Sequence, residues 1–156
     1  MIRIDVPVFG LLSLEYLVMD YNGTLAIDGR LIAGVTEAIE KLSNDMEIHI
    51  VTADTFGKVR KEMKGLPVVT KILPPANQAE AKRAYVRTLG EHRCVCIGNG
   101  RNDRLMLKEA ALGIAAIQNE GAARATVESA DIVVNHIVDA LNLLIHPLRL
   151  IATLRD

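Results

Sequence analysis

Aromatic side chains are nearly missing from this chain, which has no tryptophan, two phenylalanines and three tyrosines in 156 residues. Half of the residues are nonetheless hydrophobic. A core built from them is aliphatic, as in helices packed on a sheet of Ile, Leu and Val strands. Cysteine is scarce too. Cys94 and Cys96 are two positions apart in an apolar run and share one face of a strand. Two ligands do not make a metal site, so they read as buried thiols in a reducing compartment. Charge of one sign is not in excess: 18 basic and 19 acidic residues leave a net −1. That excludes a global basic field for nucleic acid or membrane. Long hydrophobic runs are also absent. The stretch 110–119 is too short to span a bilayer, and MIRIDVPVFG lacks the basic and apolar regions of a signal peptide. The expectation is a cytoplasmic protein.

The length suits a single domain over 1–156 that needs no disulfides. Five short apolar runs read as strands buried on both faces: 16–19 (YLVM), 48–51 (IHIV), 94–97 (CVCI), 112–116 (LGIAA) and 131–134 (DIVV). Helical spacing lies between them at 34–43, 79–89, 103–111 and 122–129. This alternation predicts an α/β fold: a doubly wound, Rossmann-like three-layer sandwich around a mainly parallel sheet. Residues 2–8 alternate and then turn at Gly10, as an edge strand or a hairpin. A long apolar helical pattern over 138–154 is broken at Pro147.

Ligands of such sheets bind beyond the carboxyl ends of the strands. Asp20, Thr52 and the loop 98–103 (GNGRND) stand there, and Lys82 can join them from the helix before. A carboxylate, a hydroxyl, a cation and a Gly-rich polar loop suit phosphoryl transfer. The carboxylate can attack phosphorus, while Thr, Lys and Mg²⁺ hold the equatorial oxygens.

Asp20-Tyr-Asn-Gly-Thr-Leu25 resembles the first motif of the haloacid dehalogenase superfamily, Asp-x-Asp-Gly-Thr-Leu. It is still more similar to the phosphorylation motif of P-type ATPases. Val51-Thr52 matches the second motif and Lys82 the third. Gly98-Asn-Gly-Arg-Asn-Asp103, with Gly113-Ile-Ala115 after it, resembles the ATPase hinge motif. The four motifs in order span about residues 16 to 135, and the chain looks most like the stand-alone, soluble P-type-ATPase-like phosphatases.

The resemblance implies a Mg²⁺-dependent phosphohydrolase with Asp20 as nucleophile and metal ligand. Asn22 would offer its backbone carbonyl to the metal, and Asn99 and Asp103 would complete that site. Asn22, Gly23, Thr52, Ala53 and Lys82 would surround the phosphoryl group. Lys71 is the rival of Lys82, which is favoured because it opens a helix shortly before the Gly98 strand. The 31 residues from 21 to 51 leave no room for a cap domain. An open site suits a phosphorylated small molecule or macromolecule, with no place for adenine.

Two departures stand out. The family's usual Asp, a general acid and base, is Asn22 here, and an amide cannot transfer protons that way. A usual metal-binding Asp is Asn99, which brings no charge. They keep a second reading open, a catalytically weak or inactive regulatory domain of the same fold. Asn102 and Asp103 double as candidate N-caps. Asp54 reads as a helix cap, His49 as a core residue and Arg101 as an exposed loop residue. The apolar arc of 138–154 either completes the core or pairs two copies in a homo-oligomer.

Overall fold

The computed structural model describes residues 1–53 and 58–156. The expected cap at Asp54 lies outside them. Six parallel strands form the central sheet in the order β10-β9-β8-β3-β6-β7. They are β3 (Tyr16–Asp20), β6 (Glu47–Thr52), β7 (Val69–Ile72), β8 (Cys94–Gly98), β9 (Leu112–Ala116) and β10 (Ile132–Val134). The winding reverses between β3 and β8, so β3 is central, with β8 on one side and β6 on the other. The β3, β8 and β9 runs carry almost no polar side chain, as expected of strands covered on both faces.

Two aliphatic cores flank the sheet. On one side α1 (Val35–Leu42), α2 (Lys58–Glu62), α6 (Ile137–Ile145) and α7 (Pro147–Leu154) cover Leu17, Met19, Ile48, Ile50, Val95 and Ile97. On the other, α3 (Gln78–Leu89), α4 (Arg104–Glu109) and α5 (Arg124–Val127) cover Val18, Val51, Cys94 and Cys96. Helices on both faces make the doubly wound sandwich read from the sequence. The two thiols share one face and are buried, and burial pushes Cys94 up to about 12.

The N-terminal alternation forms a hairpin of its own, β1 (Ile2–Val6) with β2 (Gly10–Leu14), rather than an edge of the main sheet. Its Ile4, Val6, Leu12 and Leu14 close the first core from below. The turn falls at residues 7–9, and Gly10 is the first residue of the return strand. The break at Pro147 is sharp, with α6 and α7 meeting at 103°. Val138, Leu143, Ile145, Ile151 and Leu154 then pack against the chain's own core, and Leu148 remains exposed. Among the described residues no single helix is long and apolar enough to cross a membrane.

Three kinds of expectation need correction. A sixth strand, β7, forms a sheet edge, and its alternating half-exposed residues carry no continuous apolar signal. A small hairpin, β4 (Ala26–Ile27) with β5 (Arg30–Leu31), occupies the stretch read as a plain turn after Asp20. The helix expected over 103–111 begins with a 3₁₀ turn, Arg101–Asp103, and that over 122–129 shortens to Arg124–Val127. The reading that no cap fits between Asp20 and Thr52 is not among these corrections: that stretch holds the β4–β5 hairpin, α1 and most of β6.

Candidate active site

The chain reverses at once where β3 ends. The Tyr21 carbonyl accepts hydrogen bonds from the backbone N–H groups of Thr24, Leu25 and Ala26. Gly23 sits in that turn at φ +76, a conformation that favours glycine, and faces the Asn99 side chain. The reversal leaves Asp20 at the carboxyl end of the central strand, one residue short of Thr52 in the register with β6. Thr52 is buried, Ala53 half-buried and Asn22 exposed.

Lys82 projects from the fifth position of α3 into this edge. Its Nζ donates to Asp20 Oδ1 and to Asp103 Oδ1, each at 2.6 Å. All three side chains are buried: 6% exposed for Asp20, 1% for Lys82 and 0% for Asp103. The rival Lys71 lies on the edge strand with its Nζ 5.8 Å from the centre of the Tyr85 ring.

Asp103 is held by the loop that carries it. Its Oδ2 accepts from the backbone N–H of Asn99 at 3.0 Å and of Gly100 at 2.9 Å. It makes no side-chain cap to α4. A Cβ on Gly98 would stand 2.5 Å from Asp103 Cγ, so only glycine lets the carboxylate lie across the end of β8. From the far side, Thr126 donates to the Gly100 carbonyl at 2.6 Å, and the Ala123 N–H to the Asn99 carbonyl at 2.8 Å.

Two carboxylates and one ammonium leave a net negative charge in a place shielded from water. Burial, and then repulsion by Asp103, push the Asp20 carboxyl up to about 7. Lys82 and the Tyr21 backbone N–H pull it the other way. Burial alone would lower Lys82, but Asp20 and Asp103 hold it above the ordinary lysine value. Ionised Asp20 is thus under-compensated, and a cation would relieve it. The oxygen donors that Lys82 draws together at this edge are two carboxylates, those of Asp20 and Asp103. They suit Mg²⁺, which takes one or two carboxylates and keeps waters. Among the described residues no group of three or more His, Cys, Asp or Glu gathers around a metal position.

Asn99 does not point its amide at Asp20. Its Oδ1 accepts from Thr24 Oγ1 at 3.2 Å, and its Nδ2 donates to the Gly121 carbonyl at 2.9 Å. Gln118 is a residue the sequence reading missed. Its Nε2 donates to the carbonyls of Gly23 at 2.8 Å and Thr24 at 2.6 Å, and its Oε1 accepts from the Ile137 N–H at 3.2 Å. Its own backbone has φ 51, a strained setting for glutamine. The loop after β9 therefore clamps the turn after Asp20 from the side. Arg101 is exposed. His49 is buried away from this edge, with Nδ1 2.8 Å from Tyr85 Oη and Nε2 3.1 Å from Glu47.

No family model matches the chain. It is 55% identical over 64 residues to an uncharacterized protein of Methanocaldococcus jannaschii, a match covering 41% of this chain and 69% of that protein. It is 25% identical over 123 residues to a soluble P-type ATPase-like phosphatase of the same organism, covering 77% of this chain and 45% of that protein. The chain thus spans under half of that phosphatase. Among solved structures, a chain described as a haloacid dehalogenase superfamily (subfamily III A) hydrolase of Legionella pneumophila superposes with a TM-score of 0.72. It is 15% identical, and the match covers 91% of this chain and 87% of that one. The 3-deoxy-D-manno-octulosonate 8-phosphate phosphatase of Moraxella catarrhalis, solved with magnesium and phosphate, superposes with a TM-score of 0.69. It is 18% identical, with 85% and 86% covered. At these identities the superpositions establish the fold.

Proposed function

This chain has the haloacid dehalogenase superfamily fold and belongs to one family with the uncharacterized Methanocaldococcus jannaschii protein, and from that premise we propose that it is a Mg²⁺-dependent phosphohydrolase whose nucleophile is Asp20. The observation that carries the reading is the buried bridge of Lys82 between Asp20 and Asp103 at the carboxyl edge of the sheet. A lysine 1% exposed and paired with two carboxylates is costly to build. It repays that cost as a device that aims a nucleophile and awaits a phosphoryl group.

Asp20 attacks the phosphorus of a phosphate ester, and the bond from phosphorus to the ester oxygen breaks as the new P–O bond forms. Lys82 holds the attacking carboxylate and faces the charge on the transferring group, while Thr52 offers its hydroxyl from the next strand. Mg²⁺, held by Asp20, Asp103 and the carbonyl of Asn22, would neutralise charge on the phosphoryl oxygens. Water then attacks the phosphorus of the aspartyl phosphate, releasing inorganic phosphate and restoring Asp20. Asn22 stands exposed beside the nucleophile and can neither protonate the departing oxygen nor take a proton from that water. Solvent water therefore protonates the departing oxygen and takes up the proton of the attacking water, and both halves of the cycle are slow for that reason. The open edge, with no cap in the described residues, suits a phosphorylated macromolecule or a small ester that tolerates water.

Asn22→Asp restores the missing acid and base. Turnover of an aryl phosphate rises at least about tenfold, from a possible 10²–10⁴-fold contribution by such a group. Steady-state kinetics at saturating Mg²⁺ check this, and an unchanged rate would show that proton transfer is not limiting. The second reading, a regulatory domain that keeps the fold without turnover, rests on the same two amides, Asn22 and Asn99. It predicts no Mg²⁺-dependent hydrolysis in either protein.

A further inference from the structure

We infer that Gln118 is a positioning residue for the nucleophile: its side-chain amide fixes the turn that holds Asp20 at the end of β3. The inference rests on the phosphohydrolase reading above and adds a residue which that reading does not use. Every polar atom of the amide is engaged. Oε1 accepts from the Ile137 N–H at the start of α6, which leaves Nε2 as the donor end. Nε2 then gives its two hydrogens to consecutive carbonyls, those of Gly23 and Thr24. Both of these residues are buried, so their carbonyls need partners. The main chain of Gln118 is anchored as well, its N–H donating to the Asn135 carbonyl at 2.9 Å.

The path from this amide to Asp20 is short and made of peptide planes. In a planar trans peptide the carbonyl and the N–H point opposite ways. Gln118 holds the carbonyl side of the peptides that join Gly23 to Thr24 and Thr24 to Leu25. On their other side, the N–H groups of Thr24 and Leu25 donate to the Tyr21 carbonyl at 3.3 and 2.9 Å. Tyr21 in turn gives its own N–H to the Asp20 carboxylate. Two peptide planes are thus gripped from both edges, and the grip ends on the nucleophile. The backbone of Gln118 argues the same way. At φ 51, glycine or asparagine is less strained than glutamine. Asparagine, one methylene shorter, would sit there with less strain and less reach. Strain of this kind persists where the surroundings over-determine it, and here the side chain ties three segments together.

Single-turnover kinetics with Mg²⁺, and with enzyme in excess over an aryl phosphate, read the attack of Asp20 alone as release of the phenolate. Two variants remove the amide. Gln118→Met keeps the length and the strain, and Gln118→Gly removes both. In each, the maximum rate falls by about 10- to 100-fold, the scale expected when a reacting group is misplaced by about an ångström. The enzyme concentration that gives half the maximum rate stays within about twofold, because Gln118 acts through the turn and not on the substrate. Denaturant unfolding gives the stability of each variant, and the loss of rate is alike in both whichever is the more stable. A rate higher in the more stable variant by more than about tenfold marks a merely structural clamp and overturns the inference. A loss below about tenfold in either variant overturns it too, as does a loss carried by the half-saturating concentration with the maximum rate unchanged. Each of these results leaves the phosphohydrolase reading standing, provided that the wild type releases phenolate and Asp20→Asn does not. A wild type that releases none overturns both.

Discussion

Asp20→Asn abolishes phosphate-ester hydrolysis, lowering turnover by at least about 10⁴-fold, as loss of a covalent nucleophile does elsewhere. The same substitution stabilises the metal-free protein above neutral pH. Burial holds the Asp20 carboxyl up at about 7 in the fold, well above the ordinary carboxylate value that it has in the unfolded chain. Between those values the native state holds a proton that the unfolded chain has released. Wild-type stability therefore falls as pH rises through that window. Asparagine carries no such charge. In chelator-containing buffer at pH 8, Asp20→Asn is more stable than the wild type by roughly 2–4 kcal/mol. The gap narrows toward pH 4. Denaturant unfolding at both pH values reads this out. A variant that is inactive and less stable at pH 8 would mean that Asp20 is a structural carboxylate.

Lys82→Met carries the second large effect, in the opposite direction. Removing the ammonium leaves Asp20 and Asp103 buried with no countercharge, which costs about 3–5 kcal/mol at pH 8. The Lys82 value is raised, so the stability it provides is present throughout the neutral range and would be lost only as pH climbs above the ordinary lysine value. Without it Asp20 is pushed further up by burial and by Asp103. The variant then binds a proton on folding, and its instability eases as pH falls toward 5. Added Mg²⁺ recovers part of the lost stability by taking the place of the countercharge. Hydrolysis stays low even then, because nothing holds the carboxylate in line. Equal stability of the variant and the wild type at pH 8 would show that the two carboxylates are not both ionised in the native protein.

The residues of the sheet edge were readable because each sits where a continuous apolar run stops. Asp20 follows YLVM, Thr52 follows IHIV, and the Gly98 loop follows CVCI. Burial on both faces writes such runs into the sequence, and the edge of a parallel sheet gathers their ends. Lys82 was legible from its place before the Gly98 strand, and the structure brings it, not Lys71, to Asp20. The β7 strand escaped because an edge strand alternates and is short. The β4–β5 hairpin left one signal, Asp28-Gly29, both at positive φ in a two-residue turn, but its strands are only two residues each. Gln118 and Glu120 had no signal at all. They lie in a polar loop without periodicity, and they meet Gly23, Thr24 and Asp28 across more than ninety residues of chain. Asn99 was read correctly as chargeless, while its commitment to Thr24 and Gly121 depends on loops that only the fold brings together.

The central claim is a covalent bond between Asp20 and phosphorus. Trapping it is the most direct measurement. The wild type is mixed with a reactive aryl or acyl phosphate and Mg²⁺, quenched in acid, and reduced with borohydride, which converts an aspartyl phosphate to homoserine. Peptide mapping then locates the change. The account predicts homoserine at position 20, in amounts raised by the slow second step that Asn22 imposes and lowered in Asn22→Asp. Steady turnover with Asp20 unmodified, or a phosphoryl group mapped to any other residue, would contradict it.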